Sequence, residues 1–156
     1  MAALKLARKS RRVRNARGAE LIEFALVLPL LLLLVLGIVD FGFLFQRLEV
    51  VTNAAREGAR IAVLPSYTTD DVKARVNDYL TRGGVPIVAG TNPTINVTKV
   101  NPTLTPGGAA IPSEQVVVTY SHTYLFLSGV ARFFGGNFTT VPLRGQATMT
   151  IEAGGS

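Results

Sequence analysis

The sequence has no cysteine and a single histidine, His122. The first absence excludes a disulfide framework, a zinc-thiolate centre and a thiol nucleophile. It does not exclude an exported domain, because a sufficient core can dispense with covalent staples. With one imidazole and no G-x-S-x-G, the chain lacks the strained nucleophile turn of a serine hydrolase. The pairs Gly83-Gly84, Gly107-Gly108 and Gly135-Gly136 lack the following Lys-Ser/Thr that a phosphate-cradling loop requires. His122 lies in a run of alternating side chains and is expected at the surface or facing a groove. Asn96-Val-Thr and Asn137-Phe-Thr are glycosylation sequons by pattern only. No catalytic residue, cofactor or metal site is expected, and the chain does not read as an enzyme.

Acidic residues are also missing from the first eighteen positions, and this absence locates the charge. Lys5, Arg8, Lys9, Arg11, Arg12, Arg14 and Arg17 place +7 there. The rest of the chain carries nine Lys/Arg against ten Asp/Glu, a net of −1, although the whole chain stands at +6. The basicity therefore belongs to a tail. A folded basic face, the usual footprint of a nucleic-acid binder, is not present, and no nucleic acid is expected as a partner.

Beyond the tail stands a long apolar run. From Leu21 to Phe45 the only ionisable side chains are Glu23 and Asp40, and Phe24 to Val39 is uninterrupted. Roughly 20 apolar residues cross the hydrocarbon of a bilayer as a helix, so the run is long enough. Its leucine-rich centre, LPLLLLLVLGIV, favours helix because unbranched-Cβ side chains lose little rotamer freedom there. Pro29 falls early in the run, where a missing amide is tolerated better than at the centre. A cleaved secretory signal would have a shorter apolar core ending in small residues. Here the run ends in Asp40-Phe-Gly-Phe-Leu-Phe, so a retained anchor is expected. The positive-inside rule keeps residues 1–18 in the cytoplasm and sends residues 46–156 across the membrane.

The segment R-G-A-E-L-I-E-F, then A-L-V-L-P-L-L-L, then A-A-R-E-G-A-R downstream, resembles the TadE-like pseudopilins, pilin-like subunits of the tight-adherence (Flp-type) pilus system. The resemblance covers about residues 17–64. It implies the bacterial inner membrane, and cutting by a prepilin peptidase between Gly18 and Ala19 on the cytoplasmic side. It also implies assembly with other pilin-like subunits on an inner-membrane platform, for surface adhesion. Glu23 would then be the fifth residue of the mature chain, followed by the aromatic Phe24. The cut would remove the seven charges and expose an α-ammonium one helical turn from Glu23. An ion pair in lipid, within the subunit or with a neighbour, offsets much of a desolvation cost that a lone acid must bear. Glu23 thereby becomes a register-setting charge; the alternative is an interfacial or protonated acid without a partner. The first mature residue would be alanine, where other pilins often carry a bulky residue, and N-methylation of Ala19 is left open.

The remaining chain reads as a small α+β domain, pilin-like in having a long N-terminal helix packed on an antiparallel sheet. Helical periodicity continues through QRLEVVTNAAREGARIAVL, with Leu48, Val51, Ala55, Ala59 and Ala62 on one stripe and Arg47, Arg56 and Arg60 directed elsewhere. One helix is thus expected from Glu20 to about Val63, ended by Pro65. Gly58 inside it permits a close neighbour or marks a bend. A second helix carries Val72, Val76, Tyr79 and Leu80, with Thr68 or Thr69 as N-cap. Asp70-Asp71 suit its positive end, a simpler account than a metal or acid–base pair. Strands are expected at Thr94–Val100, Gln115–Leu127 (central) and Leu143–Glu152, with a loop at 101–113 and a helical turn at 128–134. The organisation expected is a leader (1–18), a transmembrane helix (19–45) and an exported domain (46–156). The competing functional reading is an uncleaved, membrane-anchored periplasmic binding module.

Overall fold

The computed structural model describes residues 10–87, 93–102, 108–136 and 140–151. Helix α1 spans Ser10–Ala62, passing Pro29 without a break, and α2 spans Thr69–Arg82. Strands β1 (Thr94–Val100), β2 (Ser113–Thr123) and β3 (Thr140–Thr150) form one antiparallel sheet in the order β1-β2-β3, with the short helix α3 (Leu127–Phe133) between β2 and β3. The chain divides into two units, residues 1–39 and 40–156.

In the first unit the apolar run has no covering. Leu26, Leu30 and Leu34 are 75%, 71% and 59% exposed. A soluble helix that left such a surface bare would aggregate. The apolar stretch from Leu21 to Phe45, at 1.5 Å per residue, is about 37 Å long and exceeds the roughly 30 Å of bilayer hydrocarbon. Length and composition fit a single-pass membrane anchor.

The second unit builds its core on the stripe that the periodicity marks. Val51, Ala55 and Ala59 are fully buried, Ala54 and Ile61 join them, and Leu48 and Ala62 pack at the margin. Opposite them stand Val72, Val76 and Leu80 of α2, and Val116, Val118 and Tyr120 of β2. The small side chains of α1 bring backbones close. At Gly58 a Cβ would fall 2.6 Å from the Val76 Cγ2 and 3.1 Å from the Val116 Cγ1. At Gly145 on β3 it would fall 2.5 Å from the Val51 carbonyl oxygen of α1. The glycine inside α1 therefore serves close packing within the chain.

Local signals agree with the elements they were expected to set. Thr68 caps α2: its hydroxyl accepts from the Asp71 amide, and its own amide donates to the Asp71 carboxylate at 2.9 Å, a complete capping box. β2 is central, and Pro142 sits on β3, an edge strand, where a missing amide costs no ladder bond. β1 coincides with its expected bounds. β2 stops four residues before the expected Leu127, for a reason given below. Residues 1–9 of the leader, residues 103–107 of the loop, the Asn137 sequon and Glu152 lie outside the described residues.

The two glycines differ in what surrounds them. Gly58→Ala gains about 1 kcal/mol of helix propensity but presses on the methyls of two buried valines, Val76 and Val116, which side-chain repacking can still accommodate in part. Gly145→Ala gains nothing comparable and meets backbone, which cannot rotate away. Overpacking typically costs about 1–3 kcal/mol. In urea unfolding of the detergent-solubilised chain, Gly145→Ala is expected to be the more destabilising, and equal losses would refute this packing account.

Candidate assembly helix and the polar cluster on its aqueous side

The residues expected to act in processing and assembly all lie on α1. Gly18 is half-buried, while Ala19, Glu23 and Phe24 are exposed. Ala19 and Glu23 are four residues apart and so share a face of the helix. Phe24 is 59% exposed and touches no core. No described ion pair engages Glu23. At Gly18 an added Cβ would meet nothing within 4 Å. Among the described residues, packing gives no reason for glycine at 18, as at 37 and 42 and unlike positions 58 and 145.

The other acid of the apolar run, Asp40, has a different setting. It is 1% exposed. Its Oδ1 accepts the Leu125 amide at 2.9 Å, and its Oδ2 accepts those of Phe126 at 2.9 Å and Leu127 at 2.7 Å. These amides form the start of α3, whose N-cap residue, Phe126, supplies no side-chain cap of its own. A carboxylate 85 to 87 residues away in sequence caps the helix. The same capture shortens β2. Once the 125–127 amides turn toward Asp40 they cannot continue a ladder with β3, so the strand ends at Thr123.

His122 follows from β2 in the same way. Period-two alternation puts Val116, Val118, Tyr120 and His122 on one face, and all four are buried. The imidazole is 1% exposed, so it is not at the surface; of the two expected settings the groove-facing one holds, since the ring lines the groove described below. Arg47, expected to point away from the packed side, reaches it instead, its guanidinium donating to the His122 Nδ1 at 2.8 Å. Nδ1 is thus the acceptor and Nε2 carries the proton. Nε2 is buried and has no hydrogen-bond partner. Tyr124 stacks edge-to-face on His122 at 5.3 Å and on Phe41 at 6.2 Å. Asp40, Phe43, Arg47, Tyr120, His122 and Tyr124 line an open groove of about 330 Å³. Burial, and then the Arg47 charge, push the His122 pKa below its usual value, against a smaller opposing pull from Asp40.

At the far end of the core, Glu57 of α1 accepts from Arg60 at 2.9 Å and from Arg75 of α2 at 3.0 Å. These bonds, that to Arg60 foremost, lower the Glu57 pKa to about 2. A larger cavity of about 800 Å³, bordered by Pro65, Tyr67, Lys99 and Glu114, also opens there. Among the described residues no group of three or more His, Cys, Asp or Glu could hold a metal ion.

Asp40→Ala would leave three amides without an acceptor. The bonds are part-buried, so water can reach some of these amides, and a loss of about 1–3 kcal/mol in total is expected in urea unfolding, with Asp40→Asn intermediate. A change within error would refute the clamp. Both His122 and Glu57 have folded pKa values below their unfolded ones, so each contributes stability at high pH that is lost on acidification. The His122 part is lost from about pH 6.5 downward and the Glu57 part between about pH 4.5 and 2. Glu57→Gln should abolish only the lower phase, whose size is about 1 kcal/mol because its arginine partners are half in water. Unfolding midpoints measured against pH for wild type and Glu57→Gln check this.

No curated protein and no solved structure matches the chain. Residues 18–60 match the family model described as TadE-like protein, a stretch that begins at Gly18, contains Glu23 and Asp40, and ends in the buried stripe. Over that stretch, a little more than a quarter of the chain, the sequence is similar to the TadE-like family.

Proposed function

We propose that the chain is a structural subunit of the tight-adherence (Flp-type) pilus system, a pseudopilin held in the bacterial inner membrane and cut by a prepilin peptidase after Gly18. The coarser part, a protein related to that pilus system, is what its TadE-like stretch suggests. The observation that carries the finer part is Gly18 itself. It opens the matched stretch, follows the seven charges of the leader, and stands five residues before Glu23. A residue without a side chain can enter a protease pocket that a bulky one would crowd. Glycine also costs a helix about 1 kcal/mol relative to alanine, so it eases the local unwinding a protease needs.

Cutting there replaces a +7 tail by one α-ammonium, four residues from Glu23 on the same helical face. The apolar helix then has no cationic flank to hold its end in the cytoplasm. The new amine and Glu23, pairing within or between subunits, set the axial alignment of packed helices. The partners are the peptidase, neighbouring pilin-like subunits, the assembly platform and the bilayer; the subunit performs no catalysis. Phe24 packs beside Glu23 against the neighbour.

The groove at Arg47 and His122 favours a second reading, an uncut anchored module that binds a ligand on the far side of the membrane. The mass of the membrane-extracted protein separates the two. Loss of residues 1–18 in cells that possess the peptidase is expected, and recovery of only full-length chains would overturn the first reading. Gly18→Phe should block processing, visible as a persistent precursor band. Glu23→Leu should leave insertion and cleavage intact and abolish cross-linking to partner subunits; normal piliation by this variant would refute the role given to the acid.

A further inference from the structure

Within residues 40–156, helix α3 has no core to explain it. None of its residues is buried. Leu125 before it is 65% exposed, and Phe133 and Phe134 at its end are 85% and 77% exposed. The two rings meet edge to face at 5.4 Å and cover only each other. Monomeric proteins seldom leave such a patch in water. What fixes α3 is the Asp40 carboxylate, and Asp40 lies within the apolar run, followed by Phe41, Phe43 and Phe45 at 48%, 41% and 62% exposure. A seven-residue helix is about 10 Å long, so its aromatic end stays close to the level at which α1 leaves the apolar run. The charge pattern agrees. From Tyr124 to Gly136 the only ionisable side chains are Tyr124 and Arg132, with no acid among them, and Arg132 is exposed. Phe and Leu side chains on a surface-lying helix bury at the boundary between headgroups and acyl chains, and a basic residue there meets lipid phosphate.

We propose that Leu125, Phe133 and Phe134, carried on α3 and held by Asp40, form a foot that rests in the headgroup region of the bilayer leaflet from which α1 emerges, with phospholipid as its occupant. The proposal depends on α1 spanning the membrane. The foot fixes the height and rotation of the domain on the lipid surface, and it must be lifted out whenever the subunit leaves the bilayer.

The sequence contains no tryptophan, so a single indole can report each position. Full-length Phe134→Trp and, as a reference in the apolar run, Leu33→Trp are reconstituted separately in vesicles of phosphatidylethanolamine and phosphatidylglycerol, with acyl chains brominated near the headgroup for Phe134→Trp and near the chain ends for Leu33→Trp. Both are expected to lose fluorescence relative to unbrominated vesicles, with Phe134→Trp emitting to the blue of a water-exposed indole. Quenching of Leu33→Trp without quenching of Phe134→Trp overturns the foot and leaves the span standing. In that case blue-shifted emission at 134 assigns the patch to a protein contact, such as a second copy, and unshifted emission assigns it to water. Absence of quenching at both positions overturns the span and the foot together.

Discussion

Asp40 is the constraint on which the unit of residues 40–156 turns. An acid inside an apolar run ordinarily has to be hydrated, neutralised or paired. Here three backbone amides do that work, and they come from a segment that would otherwise have continued a strand. One interaction therefore ends β2, starts α3 and fastens the loop between them to α1. Hydrogen bonds to a charged acceptor are about twice as strong as neutral ones, and this acceptor is shielded from water, so the fastening is firm. The aromatic contacts of Tyr124 with Phe41 and His122, and the bond from Arg47 to His122, surround it. The polar cluster is thus the joint between helix and sheet within this unit.

The sequence of α1 serves two different surroundings. Its first part has bulky apolar side chains on all faces, as lipid on every side demands. Its last part narrows to a stripe of alanines, glycine and valine, because there the partner is a sheet whose backbone comes close. Charges mark the change. The leader holds the cations, the apolar run holds two acids, and the aqueous part returns to mixed signs with Glu57 bridging α1 to α2. A binding protein would need only an anchor in the first part, and any apolar helix would suffice. A subunit that packs through that part has a reason for an acid at a defined position.

Most of the fold could be read in advance because its signals are local. Periodicity and the apolar run give α1 from Glu20 to its end, although the helix starts ten residues earlier, at Ser10; the capping residues give Thr68 and α2, and alternation gives β1 and a central β2. The position of Gly18 before Glu23 was legible as a motif. Two features were not, and both depend on contacts distant in sequence. Nothing near Asp40 announces that residues 125–127 will bind it, so the strand was drawn too long. For His122 a groove-facing position is within the expectation, but its burial is not: counting in twos from Val116 places it inward, and the partner that makes burial tolerable, Arg47, is 75 positions away. Gly58 was known to be unusual, but only the neighbouring Val76 and Val116 decided between close packing and a bend.

The notch at Gly145 has a mechanical consequence. Inward positions on β3 alternate, so Gly145 is flanked on its own face by Leu143 and Ala147, both of which carry side chains. The backbone of α1 at Val51 sits in the single gap between them, 2.5 Å from where a Cβ would be. A shift of α1 along β3 would carry that backbone from the gap onto one of these side chains. Gly145 therefore fixes where the helix rests on the strand, and sliding between the two costs a clash rather than a smooth readjustment.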